Sequence, residues 1–149
     1  METVETGDTV CVPISVKNFD MLSGLQFSLN WDTAVMDYHA IENFVLPGGI
    51  ANSFILNFTD DGKLALGWND PGGTGITLTD STTIFDVCFI VKGSTGEFSP
   101  VGFTDDPRPD EAVQEDGMGG STIIPVVTQN GVVAVTGLPT SGFAIALSN

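Results

Sequence analysis

Basic residues are scarce in this chain. Lys17, Lys63, Lys92 and Arg108 stand against 19 acidic residues, giving a formal net charge of −15 over 149 residues. Such a surface repels a phosphate backbone and anionic lipid, which excludes nucleic acid binding and adsorption to an acidic membrane. Histidine is limited to His39. A Ser-His-Asp or Cys-His arrangement would have to converge on that residue, and no nucleophile elbow accompanies it. The acids that could pair as in a glycosidase fall mostly in turns. The chain therefore reads as non-catalytic, with His39 a partly exposed structural histidine. No apolar run reaches membrane-span length. Met1 leads straight into Glu2, Thr3 and Glu5, without the basic and apolar regions of a secretory signal. That start suits a cytosolic protein or the mature part of an exported one.

What is present is a strand pattern. Hydrophobic residues make up 42% of the chain and charged residues only 15%, with 18 glycines, which fits one globular domain of strands and tight turns. Alternation with period two recurs along the chain. Val10, Val12, Ile14 and Val16 point one way, and Cys11, Pro13, Ser15 and Lys17 the other. Leu25, Phe27, Leu29 and Trp31 alternate with Gln26, Ser28 and Asn30. Further strands are expected at Val35–Ile41, at Phe54, Leu56 and Phe58, and at Leu64, Leu66 and Trp68 after the turn Asp60-Asp61-Gly62-Lys63. Phe85, Val87, Phe89 and Val91 form another; Phe98, Val101 and Phe103 the next; Val132, Val133 and Val135 the last before a linker. Residues 105–120 read as a long acidic loop. No stretch carries a helical period. Eight or nine short strands joined by turns define an all-β, two-sheet sandwich or jelly roll.

Several segments, in order, resemble a cohesin domain. Gly7-Asp8-Thr9 feeds the strand Val10-Cys11-Val12-Pro13-Ile14, and Ser23-Gly24-Leu25-Gln26-Phe27-Ser28-Leu29-Asn30-Trp31-Asp32 is similar to the cohesin strand that ends in aromatic-Asp. Val35-Met36-Asp37-Tyr38, Asp61-Gly62-Lys63-Leu64, Leu78-Thr79-Asp80, Val91-Lys92-Gly93 and Asn130-Gly131-Val132-Val133 continue the pattern. The resemblance spans residues 4 to 135 and implies a nine-stranded jelly roll, no catalysis and an extracellular life as part of an exported bacterial protein. Cellulosomal cohesins hold dockerin-bearing enzymes, while many cohesin-like domains sit in surface proteins. Type I cohesins carry an Asn-x-Asp pair on the strand that faces dockerin; the matching positions here are Gly24 and Gln26. In a cohesin-like sheet the strands of Cys11 and Cys88 are neighbours and both side chains point outward. The resemblance thus implies a Cys11–Cys88 disulfide, worth about 4 kcal/mol in the chain-entropy model and consistent with export. The alternative is two free thiols in a reducing compartment.

The ends depart from that pattern. Residues 1–136 form the expected cohesin-like sandwich, but Met1 to Thr6 is too short and polar for the strand that precedes the Gly-Asp-Thr turn. A surplus strand, Phe143-Ala144-Ile145-Ala146-Leu147, lies in the segment 143–149 after the linker 137–142. A sandwich short of a strand exposes core and unpaired backbone, and a strand donated by a neighbour repairs both. Head-to-tail donation between copies would build a filament or a tandem adhesive fibre. The alternatives to donation are a tail that folds back into its own subunit's gap and, after that, one that hangs free.

Other candidates are weaker. Asp105, Asp106, Asp110 and Glu111 are the best calcium ligands in the acidic loop, although their spacing matches no EF-hand. Asn69–Gly75 is a turn, not a phosphate loop, because it has no lysine. Trp31 and Trp68 share the phase of core residues and so read as packing, not as sugar platforms. The expected function is protein association outside the cell through strand donation. The alternatives are a dockerin-type partner on the face of Gln26, Ser28 and Asn30, and a carbohydrate-binding module.

Overall fold

The computed structural model describes residues 4–135 and the backbone of residues 143–147. Two sheets face one another. The first has the order β10-β12-β1-β6-β3, and the second β11-β7-β2-β5-β4, with β8 attached to β2 and β9 to β8. The strands are β1 (Thr9–Lys17), β2 (Leu22–Asn30), β3 (Met36–Glu42), β4 (Phe54–Ile55), β5 (Lys63–Asn69), β6 (Thr82–Val91), β7 (Phe98–Thr104), β8 (Glu111–Glu115), β9 (Ser121–Ile124), β10 (Val126–Gln129), β11 (Gly131–Ala134) and β12 (Phe143–Leu147). This is the all-β, two-sheet sandwich the alternation predicts.

The alternating positions set the layers. Val10, Val12, Ile14 and Val16 of β1 are buried, as are Leu25, Phe27 and Leu29 of β2 and Phe85, Val87 and Phe89 of β6. Phe27 stacks on Phe85 across the sandwich at 6.2 Å between ring centroids. Phe54 and Phe103 meet that pair edge-on, Phe54 against Phe85 and Phe103 against Phe27. Trp31 and Trp68 are 7% and 2% exposed and belong to the core, so neither offers a sugar platform. One continuous apolar cluster runs from Val4 to Val135.

The structure departs from expectation in four places. The Phe54-Leu56-Phe58 alternation yields only the two-residue β4, because the chain turns away into a short 3-10 turn at Thr59–Asp61 and leaves Phe58 exposed. Phe98 is out of phase with β7: Ser99 and Val101 take the buried positions and Phe98 faces solvent. The acidic stretch 105–120 is not wholly a loop, since Glu111–Glu115 forms β8 with Ala112 turned inward. Finally, the single strand expected near residue 132 is preceded by another, β10, and the chain changes sheets between them. β10 pairs with β12, whereas β11 pairs with β7. At that corner the Asn130 side-chain oxygen accepts a hydrogen bond from the Phe103 amide.

The C-terminal strand lies in its own chain's sheet. β12 runs parallel to β1, with Phe143 opposite Ile14 and Ala146 opposite Lys17, and antiparallel to β10. The linker 137–142 and residues 148–149 lie outside the described residues.

Gly62 closes the turn before β5 at φ 75 in the left-handed region. A Cβ there would stand 2.5 Å from the Trp31 carbonyl oxygen, which is backbone and cannot yield. Gly62→Ala is therefore expected to destabilise the fold by about 1–3 kcal/mol, read as a lower urea midpoint with unchanged slope. An unaltered midpoint would show that the turn relaxes freely.

Candidate functional site: a glycine-floored groove beside Arg108

β2 is the central strand of the second sheet. β5 pairs along its length, from Gly24 opposite Asn69 to Asn30 opposite Lys63. Its other side is shared by two strands end to end, with β8 against Leu22–Gln26 and β7 against Ser28–Asn30. The segment that connects β7 to β8 must therefore pass beside β2, and Ser28 fixes it there. The Ser28 hydroxyl accepts a hydrogen bond from the Arg108 amide at 2.8 Å and donates one to the Arg108 carbonyl at 2.7 Å. Gln26 Nε2 donates to the Pro109 carbonyl at 3.0 Å. Lys63 and Asp106 form an ion pair over the same segment. The hydrogen bond to Asp106, reinforced by its charge, raises the Lys63 pKa above the ordinary lysine value.

The three residues expected to face a partner are thus used differently. Ser28 is completely buried and its hydroxyl is committed to Arg108, so it offers nothing to a partner. Gln26 is half-buried and tethers Pro109. Asn30 is exposed at the end of β2. Alternation correctly puts all three opposite the core, but it carries no information about a segment that crosses over them.

Beside this crossing lies an open groove of about 240 Å³. Its floor comes from the outward positions of β2 and β5, where Gln26 stands opposite Gly67 and Gly24 opposite Asn69. Glu111 and Val113 of β8 border it on one side, and residues 51–54 on the other. The missing side chains create the space. A Cβ on Gly67 would meet only the Arg108 side chain, at 3.9–4.0 Å, whereas one on Gly24 would press on Val113 at 3.3 Å. Arg108 is exposed and is the chain's sole arginine. Among the described residues no carboxylate pairs with its guanidinium; the two ion pairs are Lys63–Asp106 and Lys92–Asp37.

The four suggested calcium ligands are dispersed. Asp106 is drawn to Lys63, and Glu111 borders the groove. Asp105 and Asp110 line a separate depression with Phe103, Thr104 and Thr128. Among the described residues no three carboxylates gather at one point. His39 is exposed on β3, at the irregularity between Tyr38 and Ala40. Asn69–Gly75 is a turn in which Asp70 accepts hydrogen bonds from the Gly72 and Gly75 amides. Cys11 and Cys88 stand directly opposite on β1 and β6 and form a disulfide. Cys11 is exposed, whereas Cys88 is wholly shielded.

A cohesin domain model matches residues 1–135, and the chain belongs to the cohesin family. It is accordingly a non-catalytic protein-interaction module. Comparison with curated proteins gives no match. Among solved structures it is similar in fold to CaCohA2 from Clostridium acetobutylicum, with 20% identity and a TM-score of 0.64 over 89% of this chain and 84% of that one. The seventh ScaB type I cohesin from Pseudobacteroides cellulosolvens gives 14% identity and a TM-score of 0.62 over 97% and 84%. The Coh-OlpA-Doc918 complex, a type I cohesin–dockerin complex from Clostridium thermocellum, gives 16% and 0.62 over 97% and 91%. At these identities the likeness is one of fold.

Replacing Ser28 by Ala removes both hydrogen bonds to residue 108 and leaves its part-buried amide and carbonyl without their partner. The expected loss is about 1–3 kcal/mol, with faster hydrogen exchange at the Arg108 amide. Unchanged exchange there would show that Ser28 does not hold the crossing segment.

Proposed function

We propose that this chain is an exported module whose partner is of the dockerin type and seats on the outer face of β8, β2, β5 and β4. The observation that carries this reading is the groove itself: two strand glycines open its floor, and at its edge stands an arginine with no carboxylate partner among the described residues. Glycine within a strand weakens it and marks places where another chain approaches closely. A guanidinium so placed on a chain of net charge −15 is a ready donor for a partner's carboxylate or carbonyl. Cohesins of the same fold are described in complex with dockerins, which supports the partner class. The cross-strand disulfide supports export, because such bonds persist in oxidising compartments.

The test is calorimetric titration against a panel of purified dockerin modules. Gly67→Leu should fill the groove, since a Cβ there meets only the Arg108 side chain, and Arg108→Ala should remove the donor. Each is expected to weaken binding by about tenfold or more at unchanged melting temperature. Binding that neither substitution alters would place the partner elsewhere, and a panel without any binder would count against the dockerin class.

A second reading rests on β12. Its seat between β1 and β10 is formed by backbone pairing, so the same strand from another copy fits the same seat. Head-to-tail exchange would then build the filament or adhesive fibre expected from the tail. Light scattering after size exclusion should show concentration-dependent oligomers that vanish when residues 142–149 are deleted. A monomer at every concentration, or oligomers that survive the deletion, would rule the exchange out.

A further inference from the structure

The outer face of the first sheet carries a second constellation, remote from the groove. Cys11 on β1, Cys88 on β6 and Glu42 on β3 come together across three adjacent strands, with the Glu42 carboxylate oxygen 3.4 Å from the Cys88 sulfur and 3.8 Å from the Cys11 sulfur. In the disulfide neither sulfur carries a hydrogen, so neither donates to that carboxylate. Among the described residues the Glu42 carboxylate makes no other hydrogen bond or ion pair; the neighbouring Asn43 side-chain amide donates to Asp86 instead. A carboxylate held against two sulfurs without a donor gains nothing from its position in the oxidised state.

The spacing has another meaning for the reduced state. Around a tetrahedral zinc ion, with Zn–S near 2.3 Å and Zn–O near 2.0–2.2 Å, a carboxylate oxygen and a thiolate sulfur lie about 3.5–3.7 Å apart. The two oxygen–sulfur distances here already bracket that value. Only the sulfurs must part, to about 3.7 Å around the ion, by side-chain rotation on two facing strands. We infer that reduction converts the Cys11–Cys88 disulfide and Glu42 into a binding site for a thiophilic divalent cation such as zinc. Two thiolates and one carboxylate supply three ligands, and water takes the fourth position because Cys11 and Glu42 face solvent. The acidic surface favours a cation, and the sulfur ligands select against calcium.

The chemistry balances with a phosphine as reductant. The S–S bond breaks and two thiols form. The phosphine gives up two electrons and becomes its oxide, with oxygen from one water and the hydrogens of that water going to the sulfurs. Metal binding then displaces the two thiol protons.

Cobalt(II) is the probe, added to the full chain with and without phosphine pretreatment. The reduced chain is expected to give tetrahedral cobalt bands with sulfur-to-cobalt charge transfer, to release two protons per metal, and to lose the bands to zinc but not to calcium. The oxidised chain and the Cys11→Ser/Cys88→Ser double variant should give neither band. Glu42→Gln should keep the charge transfer but weaken cobalt binding by about tenfold or more. Circular dichroism accompanies each titration. A reduced chain that shows no charge transfer, or that loses its β signal, overturns the site, because the three ligands depend on β1, β6 and β3 lying side by side. Equal affinity of Glu42→Gln and the parent chain would remove Glu42 from it and overturn the proposal as stated.

Discussion

Phe27 on β2 and Phe85 on β6 stack across the sandwich, and the rest of the architecture depends on that contact. Side chains alternate with period two, so burying Phe27 also commits Leu25 and Leu29 inward and Gly24, Gln26 and Ser28 to the opposite face. A slip of one residue would exchange the two sets. The groove floor and the Ser28 tether are thus consequences of a packing decision on the other side of the sheet. The same holds for β6. With Phe85, Val87 and Phe89 turned to the core, Cys88 must point away from it, toward Cys11 and Glu42.

The parts legible in the sequence are those in which one strand buries a row of large apolar residues. β1, β2, β5 and β6 each carry such a row, and each forms where alternation places it. β8 escaped because its only fully buried residue is Ala112, a single small side chain among acids, which reads as loop. Pairing to β2 stabilises it through tertiary contact, overriding weak local propensity. Phe58 and Phe98 misled in the opposite sense, since both are large and apolar yet exposed at 43% and 61%. The Cys11–Cys88 pairing was legible only through the family resemblance, because two cysteines separated by 77 residues say nothing by themselves about which strands adjoin.

The groove was the least legible feature. Gly24 and Gly67 lie 43 positions apart, and each alone is an indifferent strand residue. They share one surface because the antiparallel register sets Gln26 opposite Gly67 and Gly24 opposite Asn69, and register is a property of two strands at once. Arg108 lay within a stretch whose acids drew attention to calcium. Its backbone is set by Ser28 and its segment by the Lys63–Asp106 pair, and the guanidinium at the groove edge has no carboxylate partner among the described residues.

The two surfaces lie back to back. The groove is on the outer face of the second sheet, and the cysteines with Glu42 are on the outer face of the first, with the aromatic core between them. Interiors are packed as densely as organic crystals and transmit strain, so only a change confined to outward-facing side chains stays local. Parting two sulfurs whose side chains point away from the core therefore need not reach the other face, provided that β1 and β6 keep their register. That register is held by a row of paired positions from Thr9 opposite Ile90 to Val16 opposite Thr82, of which the cysteine pair is one. The disulfide tightens a junction that the sheet already specifies. Protein binding on one face and sulfur chemistry on the other can accordingly vary independently within this fold.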